Sequence, residues 1–377
     1  MTHALLNSFR TLAFATLAIA LAVCSPTAQA SPTVAGNDIV YCARYYNPPG
    51  TRGNSSFHIY TVSPNGMHRK QLTFDNTEME FAHPKWSPDG KLIAFIRPGT
   101  TWDSGYVWVM DENGKHQRRV ARIGSGAGYT WDRKLARIVV TSDGEGDSAF
   151  LSQVTYDLTG RKVGAAKVRD PVIAPISPDG KLRYDTESGQ IIDNRTGAVL
   201  GSTMPAYPTA TWVDNSAAIG IVYDEAAKAT KVVKFGVNGR ATRSFALKDD
   251  EVSSPNSAGS DGTWLGLTAL HSLANCYLAK QNWHNSTVGT DCGYFIADLG
   301  HSTFTYLAEG QFAAWSPDQR SFATAPGRDT ANYERHPDGT WRTVWVAPLQ
   351  VVSVATRRVR TIQGGLVWVT GADWRVR

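Results

Sequence analysis

Apolar and polar residues along this chain alternate in short blocks, and no block keeps a helical period for long. The stretch "FAHPKWSPDGKLIAF", Phe81 to Phe95, shows the unit. An apolar-anchored run ends in Trp86, four turn residues follow, and Leu92-Ile93-Ala94-Phe95 is apolar enough for a strand covered on both sides. Ser87-Pro88-Asp89-Gly90 suits a type I turn: Ser opens it, Pro presets the second position and Gly is favoured at the fourth.

The block recurs. Ser177-Pro178-Asp179-Gly180 precedes "KLRYDT", and Trp315-Ser316-Pro317-Asp318-Gln319 precedes "RSFATAP". Weaker copies start at Tyr129, Thr209 and Ser253, and the last, "TGADWRVR", ends the chain. Seven starts at near-regular spacing predict a repeat architecture. After Trp86 each unit supplies four short strands: "HPKW", "KLIAFIR", "GYVWVMD" and "QRRVARI". "FLSQVTYD", "TKVVKFGV" and "GYFIADL" are third strands of later units. Short strands at even spacing, with a Trp and a turn in each unit, predict an all-β fold, a seven-bladed β-propeller with four-stranded blades. The alternative is six blades, because the start at Ser253 is the weakest. "DIVYCARYY" reads as a second strand lacking a first, and "GADWRVR" as a first lacking a second. Together they would close the ring and leave no open sheet edge there.

The repeat "WSPDGKLIAF" resembles that of the TolB-like β-propellers, and the resemblance covers nearly all of residues 31–377. It implies a WD40-like ring in an exported protein, with Trp86, Trp131, Trp212, Trp315 and Trp374 packed between blades. TolB itself carries a domain ahead of its propeller for which this chain offers no matching segment, so the resemblance implies the fold more strongly than TolB's role.

Residues 1–30 read as a signal peptide: Arg10, the apolar run "TLAFATLAIALAV", and "TAQA" ending at a cleavage site after Ala30. Val23 before Cys24 argues against lipid attachment. The apolar run is too short to span a bilayer, so no membrane insertion is expected after cleavage, and the location is periplasmic or secreted. Export into an oxidising compartment leaves Cys42, Cys276 and Cys292. Cys276 and Cys292 flank one loop and are expected to pair, with Cys42 a buried small hydrophobe. The formal net charge is +5 and the basic residues are spread out. "HQRRVAR" and "TRRVRT" fall on predicted outer strands as solvated faces, so no nucleic acid is expected as a partner.

Function is expected where the repeat is interrupted. "YYNPPGTRGN", "SLANCYLAKQNWHNSTVGTD", "GRDTANYERHPDGTWR" and "PGTTWDSG" all fall between second and third strands, in blades one, six, seven and two. They would pool on one sector of one face. The candidate binding residues there are Tyr45, Tyr46, Arg52, Trp102, Tyr277, Trp283, His284, Tyr333, Arg335, His336 and Trp341. Aromatic rings and arginine bury much area at small entropic cost, and flat rings stack on sugars. This predicts a binding module for an envelope protein or glycan, expected to act as a monomer. The alternative is a carbohydrate-active enzyme such as a polysaccharide lyase, with His284, His336, Tyr333 and Arg335 as base and cation. No cofactor or metal is expected, and no hydrolase elbow is present. A second candidate is the mouth of the central channel, with Glu78, Glu80, His83, Asp250 and Glu251.

Overall fold

The computed structural model describes residues 38–376 apart from 47–55, 75–81, 99–103, 125–126, 133–134, 144–149, 170–174, 225, 228, 249–263, 271–274, 282–291 and 336–340. The described chain is all-β and forms seven antiparallel blades in a ring. Blade two runs through Ala82–Trp86, Leu92–Pro98, Ser104–Asp111 and Arg118–Gly124, from inner to outer strand. Blade three runs from Gly128–Trp131 to Lys162–Arg169, blade five from Thr209–Trp212 to Ala241–Lys248, and blade six from Trp264–Ala269 to Thr303–Gly310. Blade seven starts at Ala314–Trp315 and ends at Val359–Gln363. In blade four the inner strand shrinks to one bridge, Ile176 to Arg183, ahead of three short strands ending in Val199–Ser202.

Blade one closes the ring as expected. Val367–Trp374 is its inner strand and pairs with Ile39–Tyr45 from Ile39↔Trp374 to Tyr45↔Val367. Phe57–Val62 and Lys70–Gln71 complete it.

The Ser-Pro-Asp turns are built alike. The Ser hydroxyl donates to the Asp carboxylate two residues on, at 2.6 Å for Ser87, 2.8 Å for Ser177 and 2.7 Å for Ser316. The same oxygen accepts the N–H of the next strand's first residues, from Leu92, Leu182 and Ser321. All three Ser side chains are buried, so this pairing satisfies polar groups that burial would otherwise leave costly. The fourth turn position is left-handed throughout, φ 66° at Gly90, 76° at Gly180 and 55° at Gln319. That explains the glycines and makes Gln319 the strained copy.

The core lies between blades. Blades seven and one share a cluster around Tyr41, Leu349 and Trp374, and blades one and two share one around Ile59, Trp86 and Phe95. Trp131 and Trp212, on inner strands, donate their indole N–H across a seam to Lys85 O (3.2 Å) and Pro175 O (2.8 Å). Outside, the turn between third and outer strand of one blade rests on the outer strand of the blade before. At Gly66 (φ 85°) an added Cβ would lie 2.9 Å from Ile362 O, so only glycine fits this close approach.

Two expectations fail in blade six. The predicted twenty-residue loop contains the second strand, Asn275–Gln281, and "TWLGLTA" is the inner strand. "CYLA" is compact, apolar and β-prone, which gives it strand character. The Cys276–Cys292 disulfide is also corrected. Cys276 sits opposite Ala297, and Cys292 opposite Gln281. They are therefore separated along the ladder by five residues, roughly 16 Å at ~3.3 Å per residue, beyond the reach of a disulfide. Cys276 is a buried free thiol whose pKa burial pushes up to about 12. Cys42 is buried among Val40, Ile59 and Phe95, as expected.

Candidate functional site

Strand direction alternates in every blade, so all second-to-third connections leave one face of the ring. The interruptions of blades six, seven, one and two follow Asn275–Gln281, Ser321–Thr324, Ile39–Tyr45 and Leu92–Pro98, all second strands. Shared cores make these blades successive neighbours: six with seven, seven with one, one with two.

The blade-seven interruption folds as a β-hairpin. Arg328–Arg335 pairs with Trp341–Val346, with Arg335 opposite Trp341 and Glu334 opposite Arg342. The register slips between Thr330 and Glu334, so Tyr333 falls in a bulge that offsets its backbone. After the hairpin, Ala347 bridges in parallel to Trp368 on the closing strand. Ala347 N–H donates to Val367 O at 2.8 Å, and Val369 N–H to Ala347 O at 3.0 Å. The hairpin is thus fastened to the strand that closes the ring.

Tyr45 and Tyr46 meet this seam. Tyr46 donates through its hydroxyl to Trp345 O (2.9 Å), and its N–H goes to Leu366 O (2.9 Å). The Tyr45 ring lies edge-on to Tyr60, and the Arg69 guanidinium sits 4.7 Å from its centre. The Tyr45 hydroxyl shares a 2.9 Å bond with Tyr41 and reaches Gln363 at 3.3 Å. Burial, with the neighbouring Tyr45 hydroxyl, pushes the Tyr41 phenol far up, so it stays protonated.

Tyr277 does not belong to this surface. It is a buried residue of a second strand, packed on Tyr294, Trp315 and Phe322 between blades six and seven. Arg52, Trp102, Trp283, His284 and His336 lie outside the described residues. Two tryptophans at the seam escaped the sequence reading, Trp345 and Trp368, both half-buried against the blade seven–one core. The signal was the twin "VWV" at Val344–Val346 and Val367–Val369.

Of the channel-mouth set, His83 alone is described. It sits at φ 48° with part of its surface open to solvent, and the packing around its ring, together with the Lys85 charge, lowers its pKa. Glu78, Glu80, Asp250 and Glu251 lie outside the described residues. Lys85 donates to Tyr129 O (3.0 Å), and burial lowers its pKa. Asp373 accepts the Trp86 N–H across the blade one–two seam at 2.7 Å, and burial raises its pKa to about 6. No group of three or more metal-ligating side chains occurs among the described residues. No described helix is long and apolar enough to cross a membrane. A cavity of about 560 Å³ lies elsewhere, lined by Met204, Tyr207, Val222, Asp224 and Lys231 on blade five and the connector into it.

No protein-family model matches the chain. Among curated proteins, the Tol-Pal system protein TolB 1 of Novosphingobium aromaticivorans is 33% identical over 76 residues, 20% of this chain and 16% of that protein. The match therefore spans a small part of that relative's length. Solved structures with a similar outline include the β-propeller domain of the Trilobed protease from Pyrococcus furiosus. It is 11% identical, with 86% of this chain and 98% of that one covered, at a TM-score of 0.46. The acylaminoacyl peptidase of Pyrococcus horikoshii is 12% identical, with 87% and 51% covered, at 0.47. The fold is a seven-bladed β-propeller, and 76 of its residues are similar in sequence to that TolB.

Proposed function

We propose that the chain is an exported interaction module. Its recognition surface is the sector where the interruptions of blades six, seven, one and two emerge, and its partner is a protein of the cell envelope. The observation that carries the reading is the hairpin Arg328–Val346 pinned to the closing strand through Ala347 and to Tyr46 through Trp345 O. A hairpin fastened at its base loses less entropy on docking than a free loop. Its Tyr, Arg and Trp content is that of interface anchors. The curated relative is named for the Tol-Pal system, in keeping with an envelope partner and a periplasmic location. A propeller fold is compatible with protein interaction, and fold alone assigns neither a partner nor a reaction.

A glycan is the second occupant of the same aromatic sector. The lyase reading would need His284 or His336, both outside the described residues, beside Tyr333 and Arg335.

The test is affinity capture from an envelope extract, with the chain and a Tyr333→Ala/Trp341→Ala/Trp283→Ala variant as baits. A protein held by the first and lost by the second, while both melt alike, is the expected result. Equal capture by both baits would move the partner surface off this sector.

A further inference from the structure

The side wall of the ring offers a second surface, distinct from the loop sector and independent of that reading. The outer strands of blades two and three, "RRVARIG" and "KVGAAKVR", carry six Lys and Arg and no acidic residue. Arg118, Arg119, Arg122, Lys162 and Lys167 are all exposed. The turn ahead of the second strand rests on the first. Arg118 Nε donates to Leu158 O at 3.0 Å, in the turn that leads into the second strand, and that turn's Gly160 approaches Val120 O. Nearby carboxylates are engaged elsewhere: Asp157 with Arg161, Asp111 with His116, and Glu112 with Arg375. Two of the cations lie over rings, Arg119 at 4.8 Å from the Tyr106 centre and Lys167 at 4.9 Å from that of Phe150.

We infer that this wall docks the chain on an anionic bilayer surface, by contact of the cations with lipid phosphates and without insertion. Charge complementarity sets the sign of the partner, and the spread of the cations sets its kind. Each strand spans about 25 Å of side wall at ~3.3 Å per residue. Exposed cations spread along two outer strands suit a plane of many separate phosphates. Basic side chains stemming from apolar and aromatic ground are what an interfacial surface uses. Attraction of this kind adds up per cation and fades with salt.

The experiment is co-sedimentation of the full chain with vesicles of phosphatidylglycerol and phosphatidylcholine in equal parts, against phosphatidylcholine alone. The test variant is Arg119→Glu/Arg122→Glu/Lys162→Glu. A charge-matched control, Arg195→Glu/Arg240→Glu/Arg358→Glu, changes exposed residues on blades four, five and seven. Residues 1–37 are common to all, so their contribution cancels. The expected result is binding to the anionic vesicles only, lost at about 0.5 M salt. It should fall about tenfold or more in the test variant and by far less in the control. Equal loss in both variants would mean net charge alone and overturn the wall. Equal binding to both vesicle types, no vesicle binding, or capture of soluble alginate without vesicles would overturn the bilayer as partner. Equal melting temperatures of variant and parent exclude misfolding.

Discussion

The seam between blades four and five and the seams around blade one solve one problem in two ways. At the first, Trp212 gives its indole N–H to Pro175 O, a neutral bond between residues close in sequence. Around blade one the indole nitrogens of Trp86 and Trp374 have no such acceptor. Charged groups hold these seams through other bonds. Asp373 accepts the Trp86 backbone N–H, and Arg375 lies 4.9 Å from the Trp86 ring centre and pairs with Glu112. Arg375 N–H also donates to Asp38 O at 2.7 Å, tying the two ends of the described chain together. Local seams form from neighbouring segments. The closing seam joins strands over three hundred residues apart, and loop closure on that scale costs entropy before any contact forms. Extra locks at that seam fit this cost, and burial raises the pKa of one of them, Asp373, to about 6.

The largest test of the contrast is truncation before Val367. It removes Val367, Val369 and Trp374 from a buried cluster and exposes the edge of Ile39–Tyr45. A thermal melt by circular dichroism should lose its cooperative transition or fall by more than about 10 °C, since several core side chains at ~2–5 kcal/mol each are withdrawn. Next come two glycines. Gly66→Ala puts a Cβ 2.9 Å from Ile362 O at the blade seven–one seam, whereas Gly180 has open space at a similar φ. Urea titration should show about 2–4 kcal/mol lost for the first and about 1 kcal/mol for the second. The second carries backbone strain only.

Asp373→Asn probes the charge itself. The folded pKa of Asp373 is raised to about 6, first by burial, against 3.8 for the exposed group. A raised pKa means that its contribution is fully present below about pH 4 and is lost as pH rises through about 6. The parent should therefore lose about 1–2 kcal/mol between those values through this group, and the Asn variant should lack that component, so the difference between the two should change by that amount. At pH 7.5 the variant should be the more stable of the two, by urea midpoint. The smallest effect separates the tryptophans. Trp212→Phe removes the indole bond to Pro175 O, which keeps only the Tyr184 N–H at 3.0 Å, whereas Trp374→Phe breaks no hydrogen bond. The first should cost about 1 kcal/mol more than the second.

The repeated part of the fold was legible because each copy spells out its own physics. Ser-Pro-Asp marks the turn, a Trp marks the inner strand, and the mismatched ends mark closure. Blade six was set one strand out of place because its turn signal at Ser253 is degenerate and its second strand, Asn275–Gln281, carries no marker beyond a short apolar run. The disulfide was inferred from loop-flanking position, which says nothing about register, and register keeps the two cysteines apart. Of the candidate surface, Tyr45, Tyr46 and the second-to-third placement could be read from strand order. Trp345 and Trp368 could not, because a non-local bridge at Ala347 brings them together. Sequence alone reads "HQRRVAR" as a solvated face, since it does not show that the turn ahead of "KVGAAKVR" rests on that strand.

Native-state hydrogen exchange on Ile39–Tyr45 and Val367–Trp374 tests the closed ring most directly. The account predicts that both strands are strongly protected and exchange through the same opening event. Fast exchange in Val367–Trp374 beside slow exchange in Ile39–Tyr45 would mean an open ring, and would contradict the closing seam on which the candidate surface is built.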